Sequence, residues 1–300
     1  MKQYFLSEIE NLLVNCQIIG NKSNIYFTNF NSLEKANEFS LVWIKSTKKN
    51  KNEIIKSSHA KIFIVDNKVE IEENLIHVKC FIKTENPKLT FLRIANFLLN
   101  KQLVWGIHPT AIIHPNAKIH PNTAIGAFTY VGEAVIGENT VIYGNCYVYN
   151  NVEIGKNCKI HAGAIIGKDG FGYEKNEKGE WESFPQLGKT VIKNNVDIGS
   201  NVLIHKGALS DTIIYDGVKI DDGTIIAHNV IIGKNSLITG HVCIAGSTVI
   251  GENCWIGPGV KILNQLNIED NVFIGIGSVV IKNIKKGNKV FGNPARIIDY

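Results

Sequence analysis

The 300-residue chain has no apolar run long enough to span a bilayer, and its mean hydropathy near zero with 44% apolar residues is that of a soluble globular protein. Its first stretch, MKQYFLSEIENLL, carries acidic residues where a secretory signal places basic and then apolar ones, so the cytoplasm is the expected compartment. None of the six cysteines forms a CxxC pair. Three of them, Cys146, Cys158 and Cys254, fall in the small-residue slot of a repeat, which makes them packing residues rather than disulfide partners or metal ligands. A net charge of +5 is too mild for a nucleic-acid footprint, although it suits a small substrate rich in phosphate.

What the chain does have is a period of six. From Ile107 to Val280 an isoleucine or valine recurs every sixth residue, with two slips of phase and one long interruption. Six matches neither the 3.6 of a helix nor the 2 of a strand, so the unit is a short strand plus a corner, and three units close a coil. Glycine often follows the aliphatic residue (Gly137, Gly155, Gly233, Gly251), and small residues such as Thr140 and Cys158 recur four places after it. Large residues inside, small ones beside the corner, and Gly or Asn where the backbone bends are what a narrow triangular coil requires. The expected fold is mainly β: a left-handed parallel β-helix of hexapeptide repeats with roughly eight or nine coils. This hand is an exception to the right-handed crossover preference. The helix is expected over residues 105–285 and a capping tail over 286–300, after a small α/β domain over 1–104.

In that first domain, apolar runs at 24–30, 39–44, 61–65 and 76–82 predict strands, and Pro87 opens a helix over 87–103. The lysine-rich run 45–56 is expected to be a solvated loop rather than a phosphate contact. The coil is interrupted over 167–191, by GKDGFGYEKNEKGEWESFPQLGKTV between Ile166 and Ile192. A regular solenoid is complete without such a loop, so its Phe171, Tyr173, Trp181 and Phe184 are candidates for covering a ligand, against the alternative that they pack back on the coil.

Nine histidines remain to be sorted. His108, His114, His120, His161 and His205 directly follow the core aliphatic residue and read as structural corner residues, and His241 sits near a corner. His228 lies two places after Ile226, where the side chain is expected to leave a flat face. Packing of such prisms as a trimer would enclose that face in a cleft able to tune a histidine. Asp221, seven residues earlier, is expected on the adjoining face, close enough to orient the ring if the cleft closes that way. No histidine pair has the H-x4-H spacing of hexapeptide carbonic anhydrases, so no catalytic metal is expected.

GKDGFGY with the downstream Trp181 and PQLG, then HKGALSDT, IIAHNVIIG and IAGST, resemble the UDP-3-O-acylglucosamine N-acyltransferases of lipid A synthesis. That resemblance implies His228 as general base for an amine, Asp221 in support, the Gly246 N–H as oxyanion donor, and a homotrimer with sites between subunits. It implies nucleotide-sugar contacts from Trp43, Ser46, Phe171, Tyr173, Trp181, Gln186 and Asn229. The pattern is departed from at Gln265, where the family has a second active-site histidine, at Lys49 in place of a uracil-stacking aromatic, and at His205 in place of the Asp of DRGAL. The closing segment IGIGSVVIKNIKKGNKVFGNPARII is similar to the terminus of coenzyme A-dependent sugar acetyltransferases. By that likeness Gly257, Gly275, Ser278, Asn293, Pro294 and Arg296 line the acyl-carrier groove, with Lys282, Lys285 and Lys286 near its phosphates.

The function expected from the sequence is therefore N-acylation of a nucleotide-linked amino sugar for cell-surface glycan synthesis. The donor is an acyl thioester, coenzyme A in preference to acyl carrier protein, with no permanently bound cofactor. The alternatives are the lipid A enzyme itself, using acyl carrier protein, and a non-catalytic hexapeptide scaffold.

Overall fold

The computed structural model describes residues 2–13, 15–21, 25–99 and 106–298. These fall into two compact units, one before residue 100 and one after residue 105.

The first unit is built on a five-stranded sheet. Its strands Asn29–Phe30, Ser40–Trp43, Ile62–Asp66 and Cys80–Thr84 run parallel, and Gln17–Gly20 adds antiparallel to Cys80–Thr84. The central strand Ile62–Asp66 is buried at every position, as a parallel strand covered on both sides must be. The helix Pro87–Leu99 covers one face, with Ile94 fully buried, and the part of the predicted helix beyond residue 99 lies outside the described residues. Two expectations fail here. The run 45–56 is not all loop, because Lys51–Ser57 is helical: it buries Ile55, and Lys51 reaches Asp66 at 2.9 Å. The predicted strand 76–82 begins only at Cys80, since Ile76 ends the short helix Glu73–Ile76.

The second unit is a parallel β-helix with three faces. Face one begins at Gly106–Ile107, face two at Ile112–Ile113 and face three at Lys118–Ile119, and each strand pairs in register with the one a coil later. Face two has nine strands, in keeping with the coil number the period implies. The every-sixth aliphatics stack into one core, nearly all without solvent exposure. Each buried Ile or Val side chain stabilises the coil by roughly 1.5–3 kcal/mol. The small slot is also a polar one. Thr140 Oγ1 donates to the Gly155 carbonyl (2.7 Å), Ser236 Oγ to Gly251 (2.8 Å) and Cys158 Sγ to Lys193 (3.1 Å), tying each coil to the next. Burial pushes the Cys146, Cys158 and Cys254 thiols up, away from thiolate chemistry.

The bend falls elsewhere than on the glycines that follow the aliphatic residue. It is the third residue after the aliphatic, usually asparagine, that takes the left-handed conformation, as at Asn139, Asn157, Asn235 and Asn253. The glycines serve close approach instead. A Cβ on Gly137 would lie 2.6 Å from the backbone of Gly155 on the next coil. Beyond Val280 the segment Lys289–Phe291 joins face one, and Arg296–Ile297 folds back on it antiparallel, closing the open end.

Candidate functional site

One edge of the prism, where the chain turns from face two to face three, gathers the motifs. Successive coils place there the loop after Ile165–Lys168, the segment after Leu203–His205, then His228, Gly246 and Gln265. The ladder is irregular between Ile166 and Lys168, with Gly167 at φ +86°, and that irregularity lets the chain leave the coil. Beyond it, Tyr173–Lys175 and Trp181–Ser183 form an antiparallel hairpin. Phe171 (81% exposed) and Trp181 (65% exposed) stand in solvent, so these aromatics do not pack back on the coil. Phe171 rests on Tyr173 at 4.9 Å, and the Lys175 ammonium lies 5.1 Å over the Trp181 ring.

His228 is in the corner itself, not on a flat face, because it directly precedes the left-handed Asn229. Its ring is enclosed by two glycines. A Cβ on Gly246 would come within 2.6 Å of His228 Cε1 and 2.7 Å of Nε2, and one on Gly170 of the loop within 2.8 Å of His228 Cβ. His228 Nδ1 lies 2.9 Å from Asn229 Oδ1. The same Oδ1 accepts from Ala208 N–H (3.1 Å), and Asn229 Nδ2 donates to the Ser210 carbonyl (2.7 Å). Asn229 thus spends its amide on the ring and the preceding coil.

Asp221 does not meet His228 within the chain. It follows face one rather than face two, one corner earlier, and lines a groove with His161, Asp197, Lys219 and Asp222. Within one chain the two stand apart because neighbouring corners are separated by the width of a face. Gln186 is buried, its Oε1 without a hydrogen-bond partner, and the same glycine position of the loop brings it beside His228.

His205, expected from its position to be one more structural corner residue, belongs to this edge. It pairs across the ladder with Lys168, and its Nδ1 is buried without a partner. Burial first, then the charges of Lys168 and His228, lower its pKa to about 4, so it is neutral near pH 7. Lys206 beside it is held by Asp169 at 2.7 Å. The signal for His205 was present in the sequence as the lost Asp of the family motif.

Among the described residues, the other corner histidines do structural work. His114 Nδ1 accepts from the Asn116 N–H and His120 Nδ1 from the Asn122 N–H, and His161 stacks on Tyr143 at 4.9 Å. In the carboxyl-terminal set, Ser278 is fully buried and its hydroxyl donates to the Gly275 carbonyl while accepting from Gly292 N–H. Gly275 is covered by the Phe291 ring. Neither is open to a carrier, which corrects both assignments, and Gly257 is packed against the backbone of the next coil. Asn293, Pro294 and Arg296 are exposed. In the first unit Trp43 is half-buried against Phe91, and Ser46 is exposed. Among the described residues no group of three or more His, Cys, Asp or Glu is placed to hold a metal ion, and no helix is long and apolar enough to cross a membrane.

Comparison with known proteins follows the same lines. A family model described as bacterial transferase hexapeptide (six repeats) matches residues 133–168 and 247–282. A UDP-3-O-acylglucosamine N-acyltransferase of Coxiella burnetii is 46% identical over 87 residues, which is 29% of this chain and 25% of that protein. One from Shewanella denitrificans is 45% identical over 92 residues, 31% of this chain and 27% of its own length. This is a hexapeptide-repeat chain resembling the UDP-3-O-acylglucosamine N-acyltransferases. The alignments span about a quarter of these curated relatives. Among solved structures, a UDP-N-acetylglucosamine O-acyltransferase from Moraxella catarrhalis matches with TM-score 0.58 at 27% identity, over 64% of this chain and 73% of that one. The Francisella novicida UDP-N-acetylglucosamine acyltransferase matches with TM-score 0.59 at 25% identity, over 64% and 70%.

Proposed function

We propose that the chain is an N-acyltransferase that moves an acyl group from a thioester carrier to the amine of a UDP-linked glucosamine derivative. The observation that carries this reading is the histidine held at one prism edge between two glycines, with the aromatic hairpin rising beside it. The relatives favour an acceptor of the lipid A kind over the general coenzyme A-dependent sugar acylation expected from the sequence.

In this reading the amine nitrogen attacks the thioester carbonyl, His228 Nε2 takes the proton, and the thiolate leaves as the carbonyl re-forms. The Gly246 N–H makes no hydrogen bond within the chain among the described residues, so it is free to receive the oxyanion. A base and one placed donor contribute on the order of 10²–10⁴-fold each. Neighbouring subunits would complete the cleft. Outward-facing Ile112, Tyr130, Tyr147, Ile165, Leu203 and Ile225 form an apolar row along face two, which supports a homotrimer packed through the faces beside this edge.

The donor is an acyl thioester. Coenzyme A stays in view because Arg296 and Lys282 line the groove at the closed end of the coil, where phosphates would meet them. The experiment is a mass-spectrometric turnover assay with UDP-3-O-acyl-glucosamine, offering 3-hydroxyacyl chains on acyl carrier protein and on coenzyme A. An N-acylated product with either donor is expected, and its loss in His228→Ala with an intact oligomer. Wild-type turnover in that variant would remove His228 from the mechanism, and no turnover with any acceptor would leave the scaffold reading.

A further inference from the structure

We infer that Gln186 Oε1 accepts a hydrogen bond from the attacking amine and so selects an amine over a hydroxyl as acceptor; this deepens the proposed N-acyl transfer and rests on His228 being the base. The Gln186 residue is 8% exposed, and its Oε1 is buried with no hydrogen-bond partner among the described residues. Buried amide oxygens are seldom left unpaired, because the water they give up is costly to lose. The Phe184 carbonyl can only accept, so the Gln186 atom 3.2 Å from it is Nε2, and the oxygen is the atom left free. A Cβ on Gly170 would lie 2.8 Å from that oxygen, 2.8 Å from His228 Cβ and 3.0 Å from His228 Cδ2. The free oxygen and the side of the ring that carries Nε2 thus border the same side-chain-free space. Thr190 Oγ1 and His205 Nδ1 are also buried without a partner, but a hydroxyl can rotate and an imidazole can change tautomer. An amide oxygen anchored through its own nitrogen can do neither.

The chemistry of an amine uses both acceptors. A neutral amine that aims its lone pair at the thioester carbonyl keeps two N–H bonds, one for His228 Nε2 and one for Gln186 Oε1. As the N–C bond forms, the C–S electron pair leaves with sulfur, and the proton taken by His228 passes to the thiolate. The N–H held by Gln186 is the one the amide product retains. A hydroxyl in the same place has a single O–H. Once that is given to His228, an oxygen lone pair faces Gln186 Oε1 and no proton lies between them. Leaving a buried acceptor unpaired in this way disfavours the wrong acceptor by roughly 10–10²-fold. The loop residues on either side hold the amide in place, since Leu187 and Gly188 donate their N–H groups to the Ala208 carbonyl of the coil.

The test offers the full chain UDP-3-O-acyl-glucosamine and UDP-3-O-acyl-glucose, which has a hydroxyl in place of the amine, with turnover read by mass spectrometry and binding by calorimetry. Wild type should bind the hydroxyl analogue on the order of 10-fold more weakly. Equal affinity for the two overturns the inference without any variant. Gln186→Met fills a similar space without the oxygen, so the ratio of kcat/KM for amine over hydroxyl should fall on the order of 10²-fold. Gln186→Glu keeps an accepting oxygen and should hold that ratio within about tenfold of wild type. Neither variant keeps the amide nitrogen, so an equal collapse in both traces to the Phe184 anchor and refutes the role of the oxygen. A ratio in Gln186→Met within about threefold of wild type refutes it too, and assigns Oε1 to a bound water instead. Wild type that acylates neither acceptor fails the proposed function and the inference with it, a result that unchanged ratios in an active enzyme cannot mimic.

Discussion

Gly246→Ala tests the geometry of the edge with a single methyl group. Gly246 does not take a positive φ, so alanine fits the backbone, and the strain falls on what the methyl meets. That is the His228 ring, at 2.6 Å from Cε1 and 2.7 Å from Nε2. Ordinary contact begins near 3.4 Å, so the ring must retreat by about 0.8 Å. It has little room, with Gly170 close behind and Nδ1 tethered to Asn229. A misplacement of about 1 Å costs on the order of 10²-fold in rate. We therefore expect kcat to fall about 10²-fold in a continuous thiol-release assay, with the oxyanion N–H still present. Overpacking here costs roughly 1–3 kcal/mol, partly offset by the lower entropy of the unfolded alanine chain, so the melting midpoint should move by only a few degrees. Turnover within about threefold of wild type, with a crystal structure showing the ring displaced, would refute the claim that its position governs the rate.

The sequence carried the architecture because in a triangular coil one residue in six must fill a narrow core. It misplaced the bend because glycine and asparagine both mark a corner, and only coordinates show that asparagine takes the left-handed turn while glycine admits the next coil. The same ambiguity put His228 on a face and Asp221 at its side. Sequence distance along a triangular coil says little about distance in space unless the corner is known, whereas Gly246, 18 residues on from His228, stacks directly on its ring one coil later. The helix Lys51–Ser57 was hidden because its lysines read as solvated, although Ile54 and Ile55 between them supply the apolar side. Asn229 and Gln186 were visible only as family positions. What they bind depends on atoms contributed by other coils and by the loop.

Three other predictions follow from the packing. Gly137→Ala meets backbone at 2.6 Å that cannot yield, so it should cost at least about 1–3 kcal/mol by denaturant unfolding, and a neutral result would mean the coils can slide apart. Trp43→Ala removes a ring packed on Phe91, so it should weaken nucleotide-sugar binding by calorimetry and also destabilise the first unit by about 2 kcal/mol; a binding loss without any stability loss would contradict the packing. The pH dependence set by His205 needs its sign worked out. Its folded pKa is lowered from 6.5 to about 4, so between those values the unfolded chain binds the proton more readily than the native one. Its contribution to stability is therefore complete above pH 6.5 and is lost as pH falls towards 4. Partial exposure and screening hold that contribution to on the order of 1 kcal/mol. His205→Asn cannot protonate, so the variant should lose less stability than wild type between pH 7 and pH 5 in paired denaturant titrations. The catalytic proton is not involved, and the difference should persist in His228→Ala. Equal losses in the two proteins would show that His205 is solvated as freely in the native state as in the unfolded chain.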